Sequence, residues 1–386
     1  MRVLQVINSI APARGGPTYV VLRLARALAD RGVGVEVIST RADLDAAAEA
    51  EARRLLGADI PLTLVRVAGP ARVELAPGWL AALAPRVRRA DVVHIHTVWT
   101  YPVAVTPVCC RWLRVPYIIR PAGTLDAACI ASRSERKKRL ALELVCRRNL
   151  EKAAAVQVTS EHERRELAQL VPAARLELVE VGVDLALSST VSPDAGGVGR
   201  RIGFLGRLHP KKGIEALLGA LARLPGAQLE LAGAGEPAYE AELRARAEAL
   251  GVAGRTRWLG HLGETDKRDF LARVDLLAFP SKDENFGVAV AEAMAAGRAV
   301  VVSPGVALSE DVARYRAGEV SPAEPAGLAA AISRLLENGS ARAEAGGHGR
   351  DLAQTRWSWA RIADRTEALY TRAGVDSTAH PLYRSG

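Results

Sequence analysis

The chain of 386 residues is long for one α/β core, and this length predicts two domains of ordinary size. Hydrophobic residues form 49% and charged residues 25% of the chain, the balance of a soluble globular protein. The net charge of +9 favours an anionic substrate or an anionic membrane surface. Nucleic acid is disfavoured, because no aromatic stacking motif accompanies the one dense basic run, residues 133–139.

The cysteines and the apolar runs indicate a compartment. The four cysteines have no Cys-x-x-Cys spacing and no partner histidines, so neither a metal site nor a disulfide framework is expected. They are Cys109, Cys110, Cys129 and Cys146. The chain opens on a strand-like run, residues 2–7, and has no apolar run long enough to cross a bilayer. We therefore expect a protein of the reducing cytoplasm.

Strand-like apolar runs alternate with helical patterns through the first half of the chain. The helical patterns include residues 18–31 and 135–151. The strand-like runs are residues 3–7, 35–39, 62–67, 92–95, 117–120, 155–159 and 176–180. This alternation predicts a parallel sheet with helices on both faces.

A break in composition divides the chain at residues 187–200, which are polar, glycine-rich and typical of a linker. The alternation then resumes with strand-like runs at residues 201–205, 228–232, 255–259, 276–279 and 299–303. We predict two Rossmann-like domains, over residues 1–186 and 201–356, facing each other across a cleft. A last helix and a polar tail occupy residues 357–386. Ligands of such sheets bind at the carboxyl ends of the strands.

The first candidate site is the loop GRLHPKKG, residues 206–213, between a predicted strand and a predicted helix. Gly206 permits a tight turn close to a ligand. Arg207 can donate two hydrogen bonds to phosphate oxygens, and Lys212 adds a point charge. A diphosphate leaving group requires such positive charge as its own charge develops. The spacing is not that of a Walker loop, and an ordinary basic turn is the alternative.

The second candidate site follows the predicted strand that ends at residue 279. Glu284 lies in the loop, where a carboxylate can accept hydrogen bonds from sugar hydroxyls. Glu292 lies on the next helix, where a carboxylate can bind both hydroxyls of a ribose. Gly287 and Val288 begin that helix and offer free backbone N–H groups to an anion. Two glutamates at this spacing are common by chance, and their position after a strand makes the pattern more specific.

Two further candidates lie in the first half. Gly15 and Gly16 precede a predicted helix and let the backbone approach a ligand, but the Gly-x-Gly-x-x-Gly fingerprint of a dinucleotide site is absent. His94 and His96 share one side of a predicted strand. We interpret His94 as a core residue, whereas for His96 a position lining the cleft and a structural role both stay open. No nearby third ligand supports a metal.

Together these motifs resemble family four of the retaining glycosyltransferases, also called group 1, which have the GT-B fold. The resemblance covers nearly the whole chain. The first half matches through the Gly15-Gly16 loop, through residues 91–96 and through RPAGTLDA with its basic helix. The second half matches through GRLHPKKG and through Glu284-x7-Glu292. The PxGxLD variant resembles a branch associated with bacterial surface polysaccharides.

The resemblance implies roles for the matching residues. Arg207 and Lys212 bind the diphosphate of a nucleotide-sugar donor, and Glu284 contacts the transferred sugar; these three are the predicted catalytic residues. Glu292 holds the ribose. The predicted substrate-binding residues are Gly15, Gly16, His96, Arg120, Gly206, Asn285, Phe286, Gly287, Val288 and Glu292. No metal and no cofactor are implied, because arginine, lysine and a helix dipole take the metal's place.

The implied reaction is transfer, with retention, to a hydroxyl of a glycan or lipid-linked acceptor, the departing phosphate taking the acceptor proton. Many relatives carry a histidine where this chain has Ala122, so an imidazole that polarises the sugar or the acceptor is lost; Arg120 or His96 are the candidates to compensate.

The rival interpretations are a nucleotide-sugar epimerase or phosphorylase, or a donor-binding but catalytically silent scaffold. The basic helix at residues 133–148 either contacts the inner face of the plasma membrane or is simply solvated.

Overall fold

The computed structural model describes residues 1–11, 15–68, 74–125, 145–185 and 200–374. It forms two compact units: Met1–Gly182 together with Trp359–Gly386, called the N-terminal unit, and Val183–Ser358, called the C-terminal unit. The basic run at residues 133–139, most of the predicted basic helix and all but the last residue of the predicted linker lie outside the described residues.

The N-terminal unit is built on a parallel sheet of order β3-β2-β1-β4-β5-β6-β7. Its strands are β1 (Arg2–Ser9), β2 (Gly34–Thr40), β3 (Leu62–Val65), β4 (Val92–His96), β5 (Tyr117–Arg120), β6 (Ala155–Val158) and β7 (Leu176–Leu178). Its helices, numbered along the chain, are α1 (Gly16–Ala29), α2 (Ala46–Leu56), α3 (Trp79–Arg89), α4 (Tyr101–Leu113), α5 (Arg147–Glu151), α6 (Glu161–Leu170) and α14 (Trp359–Arg372). Helices cover both faces, which is why the strands are rich in Val, Ile and Leu.

The C-terminal unit repeats this plan with a parallel sheet of order β10-β9-β8-β11-β12-β13. Its strands are β8 (Arg201–Leu205), β9 (Gln228–Ala232), β10 (Thr256–Gly260), β11 (Leu276–Phe279), β12 (Ala299–Val302) and β13 (Gly318–Val320). Its helices are α7 (Ile214–Leu221), α8 (Pro237–Ala249), α9 (Glu264–Arg273), α10 (Val288–Ala295), α11 (Ser309–Arg314), α12 (Pro325–Glu337) and α13 (Gly339–Arg356). The strand order reverses between β8 and β11, and ligands of such sheets bind beyond that point.

The last helix returns to the N-terminal unit. It begins at Trp359, two residues later than the sequence pattern predicts, because Trp357 ends α13. Trp359 packs against Tyr19 of α1, with ring centroids 6.3 Å apart. Arg31, in the turn after α1, forms an ion pair with Asp364 at 2.9 Å, so an aromatic contact and an ion pair fix α14 on α1 and on the turn that follows it.

Candidate active site

The two sequence motifs of the C-terminal unit meet at the carboxyl ends of β8 and β11. The backbone N–H of Lys282 donates to the carbonyl of Lys211 at 2.7 Å. Gly213 has a φ of 70°, and a Cβ there would lie 2.2 Å from the carbonyl oxygen of Pro280. Only glycine allows this contact between the loops, so Gly213 is required for both its conformation and its proximity to Pro280.

Gly206 turns the chain directly after β8. Its N–H donates to the carbonyl of Ala232 at 2.9 Å, and its φ is 150°. The neighbouring Gly233 passes so close that a Cβ there would lie 1.9 Å from the carbonyl oxygen of Gly206. The backbone at this edge of the sheet is thus tightly packed, which leaves the following side chain, Arg207, projecting from a fixed turn.

The two basic residues of this loop differ in environment. Arg207 is exposed and makes no hydrogen bond or ion pair with any residue that the structure describes. Lys212 is buried, its ammonium group forms an ion pair with Glu284, and it lies 4.9 Å from the ring centroid of Phe279. Burial lowers the pKa of Lys212, and the charge and hydrogen bond of Glu284 oppose this change. The two motifs therefore combine one free guanidinium with one buried, paired ammonium group.

Backbone hydrogen bonds hold Glu284 in position. Its N–H donates to the carbonyl of Gly305 at 2.9 Å, and its carbonyl accepts from the N–H of Ala307 at 3.0 Å. This short bridge ties the loop after β11 to the loop after β12. The carboxylate next to Lys212 is consequently carried by a rigid backbone.

The helix α10 begins beside this carboxylate. Gly287 is its N-cap with a φ of 91°, and Val288 is the first helical residue. Phe286 is buried edge-to-face against Trp357 at 5.7 Å, which anchors the start of the helix, and Asn285 beside it is half-buried. The first N–H groups of a helix have no helical acceptor, so this end of α10 suits an anion.

Glu292 lies further along α10, where its side chain is almost fully buried. Its carboxylate forms an ion pair with the ammonium group of Lys267 on α9. A buried carboxylate needs such a partner, because burial without one is costly. Lys267 was not singled out from the sequence.

In the N-terminal unit, Gly15 and Gly16 begin α1 after residues 12–14, which are not described. Gly15 has a φ of 87°, a conformation that favours glycine, and a Cβ on either residue would meet no atom of a described residue within 4 Å. As far as the structure describes it, the space in front of the Gly16 backbone is open.

His94 and His96 lie in a buried polar layer below α14. The N–H of His96 Nε2 donates to Gln5 Oε1 at 2.7 Å, and Gln5 Nε2 donates to the Tyr370 hydroxyl at 3.1 Å. The Tyr370 hydroxyl in turn is hydrogen-bonded to His94 Nδ1 at 2.9 Å, with the direction of the bond set by the tautomer of His94. The interpretation of His94 as a core residue fits this position, and His96 likewise has no exposed surface.

Burial and a neighbouring cation keep both imidazoles neutral. Burial lowers the pKa of His94 to about 3, with a further contribution from the charge of Arg120. The pKa of His96 is also lowered, by burial first and then by His94 and Arg120. Arg120 ends β5 directly beside His96 in the sheet register. Ala122 follows in a left-handed conformation, with a φ of 57°.

Two family models match the chain, one in each half. The model of group 1 glycosyl transferases matches residues 197–351, and the glycosyl transferase 4-like domain matches residues 15–182. The D-inositol 3-phosphate glycosyltransferase of Mycobacterium ulcerans is 31% identical over 402 residues, covering 95% of this chain and 83% of that protein.

The chain belongs to the group 1 glycosyltransferases.

Other proteins resemble this glycosyltransferase over most of its length. The GDP-mannose:cellobiosyl-diphosphopolyprenol alpha-mannosyltransferase of Xanthomonas campestris is 28% identical over 312 residues, or 78% of each chain. The crystal structure of Anabaena Alr3699/HepE with UDP and glucose has a TM-score of 0.79 at 23% identity, covering 96% of this chain and 99% of that one. The structure of WaaG, a glycosyltransferase involved in lipopolysaccharide biosynthesis, has a TM-score of 0.71 at 17% identity and covers 96% of this chain and 99% of that one.

These comparisons confirm the predicted family and the predicted fold class, two Rossmann-like α/β domains of the GT-B type. The roles assigned to individual residues of the glycosyltransferase stay predictions. Sequence reasoning missed Lys267, because it lies in the charged run ETDKRD, which reads as a solvated helix face. It also missed Tyr370, whose position below β4 depends on the return of α14.

Proposed function

We propose that this glycosyltransferase moves a sugar from a nucleotide-diphosphate sugar to a hydroxyl group, with retention of configuration and without a metal. The observation that carries the proposal is the arrangement in the C-terminal unit, where the exposed Arg207, the Lys212–Glu284 ion pair and the start of α10 lie at one edge of the sheet. Positive groups there would stabilise a departing diphosphate.

The reaction that suits this arrangement is a front-face substitution. The bond between the anomeric carbon and the diphosphate oxygen breaks, and the acceptor oxygen forms its bond on the same face. The acceptor proton passes to the departing phosphate. Arg207 and Lys212 would neutralise that phosphate, Glu284 would accept hydrogen bonds from the transferred sugar, and Glu292 would bind the ribose. No separate pair of acid and base is then needed.

We further propose a lipid-linked or glycan acceptor in the biosynthesis of a bacterial surface polysaccharide. The support is the resemblance of the PxGxLD segment to that branch and the name of one relative, which acts on cellobiosyl-diphosphopolyprenol. A lipid-linked acceptor would place the enzyme at the inner face of the plasma membrane. Among the described residues, no helix is long and apolar enough to span a bilayer.

One surface of the N-terminal unit supports attachment to an anionic bilayer. The adjacent helices α3 and α4, joined by a hydrogen bond between Trp79 and Thr106, expose large apolar side chains. Trp112 is the most exposed of them at 76%, followed by Val108 at 51% and Leu80 at 45%. We call these three side chains the apolar surface. The same two helices also end on exposed basic residues, Arg88 and Arg89 on α3 and Arg114 after α4.

The charge around this surface fits anionic lipid. Between residues 75 and 125, Asp91 is the one acidic residue, and its carboxylate accepts from the N–H of Arg2 at 2.7 Å. Tryptophan favours the interface of a bilayer, and each basic residue near an anionic surface contributes on the order of 1 kcal/mol. The surface therefore suits a bilayer better than an acidic protein face.

A thermal-shift screen against nucleotide sugars, followed by product analysis, tests the proposal. We expect one nucleotide sugar to raise the melting temperature in a concentration-dependent way. Supplying that donor with lipid-linked acceptors should give a product whose anomeric configuration, read by proton NMR, matches the donor, with EDTA having no effect. Absence of any stabilising nucleotide sugar would contradict the proposed donor. An inverted product would contradict retention, and loss of activity in EDTA would contradict a reaction without a metal.

The alternative is a donor-binding protein that does not transfer. Ala122 favours it, because many relatives carry a histidine there and a methyl group cannot polarise a sugar. Tight binding of a nucleotide sugar, without turnover on any glycan or lipid-linked acceptor, would identify the protein as such a scaffold.

A further inference from the structure

We propose that Arg120 forms an anion subsite in the N-terminal unit, and that this subsite binds a phosphate group of the acceptor. The inference rests on the proposed transfer function, because it assigns a chemical class to the acceptor. It starts from a buried guanidinium group in which two nitrogens have no hydrogen-bond acceptor among the described residues.

The burial of Arg120 is unusual for a charged side chain without bonds. Arg120 is 3% exposed, and neither its Nε nor its Nη1 has a hydrogen-bond partner in the structure. Of the arginines in the described ranges, it alone has two such buried nitrogens. Burial lowers its pKa to about 10, so the side chain is still a cation at neutral pH. A buried cation without partners costs several kcal/mol, which a bound anion would offset.

One other buried arginine, Arg342, shows what a structural role looks like. Arg342 is buried and donates to the carbonyls of Leu335 and Leu336 at 2.9 and 3.2 Å. Its guanidinium closes the end of a helix, where unpaired carbonyl groups need donors. Arg120 makes no contact of this kind with a residue that the structure describes.

The charged groups around Arg120 leave its N–H donors available. Glu163 is the carboxylate that acts on it, but Glu163 Oε1 accepts from the N–H of Gly123 at 2.8 Å. Glu163 Oε2 accepts from the N–H of Thr159 at 2.7 Å and from its hydroxyl at 3.0 Å. His94 and His96 are neutral at pH 7, because their pKa values are lowered, and His96 Nδ1 is also without a partner.

The position of Arg120 is that of a ligand site. It ends β5, in register with His96 at the end of β4, and ligands of parallel sheets bind at these ends. A guanidinium presents a planar set of donors that matches two oxygens of a phosphate. The geometry therefore fits a phosphorylated acceptor better than a neutral glycan.

Two substitutions test this subsite by thermal unfolding. Arg120→Met has a similar volume and should raise the melting temperature of the unliganded protein, because two buried donors without acceptors disappear. Arg342→Met is the matched control and should lower it. If Arg120→Met is as destabilising as the control, Arg120 is a structural residue and the proposal is wrong.

Phosphate binding provides the second readout. Inorganic phosphate should raise the melting temperature of an Arg207→Ala variant, in which the diphosphate clamp is weakened, and should fail to do so once Arg120→Met is added. An equal phosphate response in both proteins would overturn the subsite. A response to acetate but not to phosphate, dependent on Arg120, would overturn the assignment to phosphate.

Donor affinity separates this proposal from the proposed function. Arg120→Met alone should keep the wild-type affinity for the nucleoside diphosphate, while the KM of a phosphorylated acceptor rises roughly 10- to 100-fold. If the wild-type protein binds no nucleotide sugar, yet shows the Arg120-dependent phosphate response, the proposed function fails and the subsite stands.

Discussion

Lys267 of α9 and Glu292 of α10 form an ion pair inside the C-terminal unit. The two residues are 25 positions apart in the chain, and both side chains are largely buried. Lysine therefore fixes the orientation of the carboxylate that we expect to bind the ribose. It also offsets a negative charge that would repel a nucleoside diphosphate.

Replacing Lys267 with methionine should weaken nucleoside-diphosphate binding about 10-fold, because Glu292 loses its partner. Isothermal titration measures this change, with Arg268→Met, on the same helix, as the control. In a Glu292→Gln background the same substitution should have little further effect. Full additivity of the two changes would show that Lys267 does not act through Glu292.

Arg207→Ala should weaken nucleoside-diphosphate binding roughly 10- to 100-fold, because charged hydrogen bonds to phosphate are lost. The melting temperature should stay unchanged, since the side chain is exposed and without a hydrogen bond among the described residues. Arg246→Ala, an exposed position on α8, is the control. Wild-type affinity in Arg207→Ala would remove this residue from the diphosphate clamp.

Glu284 and Glu292 should differ in the step that they affect. Glu284→Gln should lower kcat and leave diphosphate affinity nearly unchanged, because its expected contact is with the transferred sugar. Glu292→Gln should mainly reduce the affinity for free nucleoside diphosphate. Kinetics and titration on both variants decide the matter, and equal affinity losses would contradict the division of roles.

Trp112→Ser should reduce sedimentation with anionic liposomes, because it removes the most exposed apolar side chain of α4. Tyr315→Ser, an exposed aromatic residue of the C-terminal unit, is the matched control. Added salt should weaken binding by screening the arginines. If the wild-type protein does not sediment at low salt, attachment through this surface is wrong.

Stability should fall as the pH drops from about 6.5 towards 3. Burial lowers the pKa of His94 to about 3 in the folded protein, so the unfolded chain binds more protons throughout this interval. The contribution of neutral His94 to the free energy of unfolding is thus fully present above the pKa of the unfolded chain. Below that pKa it declines by up to about 1.4 kcal/mol per pH unit.

Thermal unfolding between pH 7 and 5 measures this dependence. His94→Gln should give a shallower decline than the wild type, whereas His261→Gln, at an exposed position, should not. An unchanged slope in His94→Gln would show that this imidazole is not the source of the acid sensitivity.

Most of the fold could be predicted from the sequence. Strands such as β5, β8, β9 and β11 are short runs rich in apolar residues, and their predicted bounds agree with the structure residue for residue. β13, Gly318–Val320, was not predicted, because its three residues are too few to show the apolar pattern of a strand. Its pairing with β12 depends on the tertiary structure.

The sequence predicts those residues of the candidate site that directly follow a strand. Glu284 and Arg207 follow strands directly, so the sheet alone brings their loops together. Lys267 and Tyr370 enter through the packing of helices, and their partners Glu292 and His94 lie far from them in the chain. No spacing in the sequence encodes such contacts, and the missing bonds of Arg120 are likewise visible only in three dimensions.

The return of α14 sets an order of events on the ribosome. Tyr370 hydrogen-bonds to His94 and Gln5, so the N-terminal unit lacks one of its own helices until the whole of Val183–Ser358 has been translated. At ordinary translation speed this delay is roughly ten to forty seconds. During that time the face of α1 that later holds Trp359 is uncovered, and a nascent chain in this state requires protection from aggregation until its last helix is made.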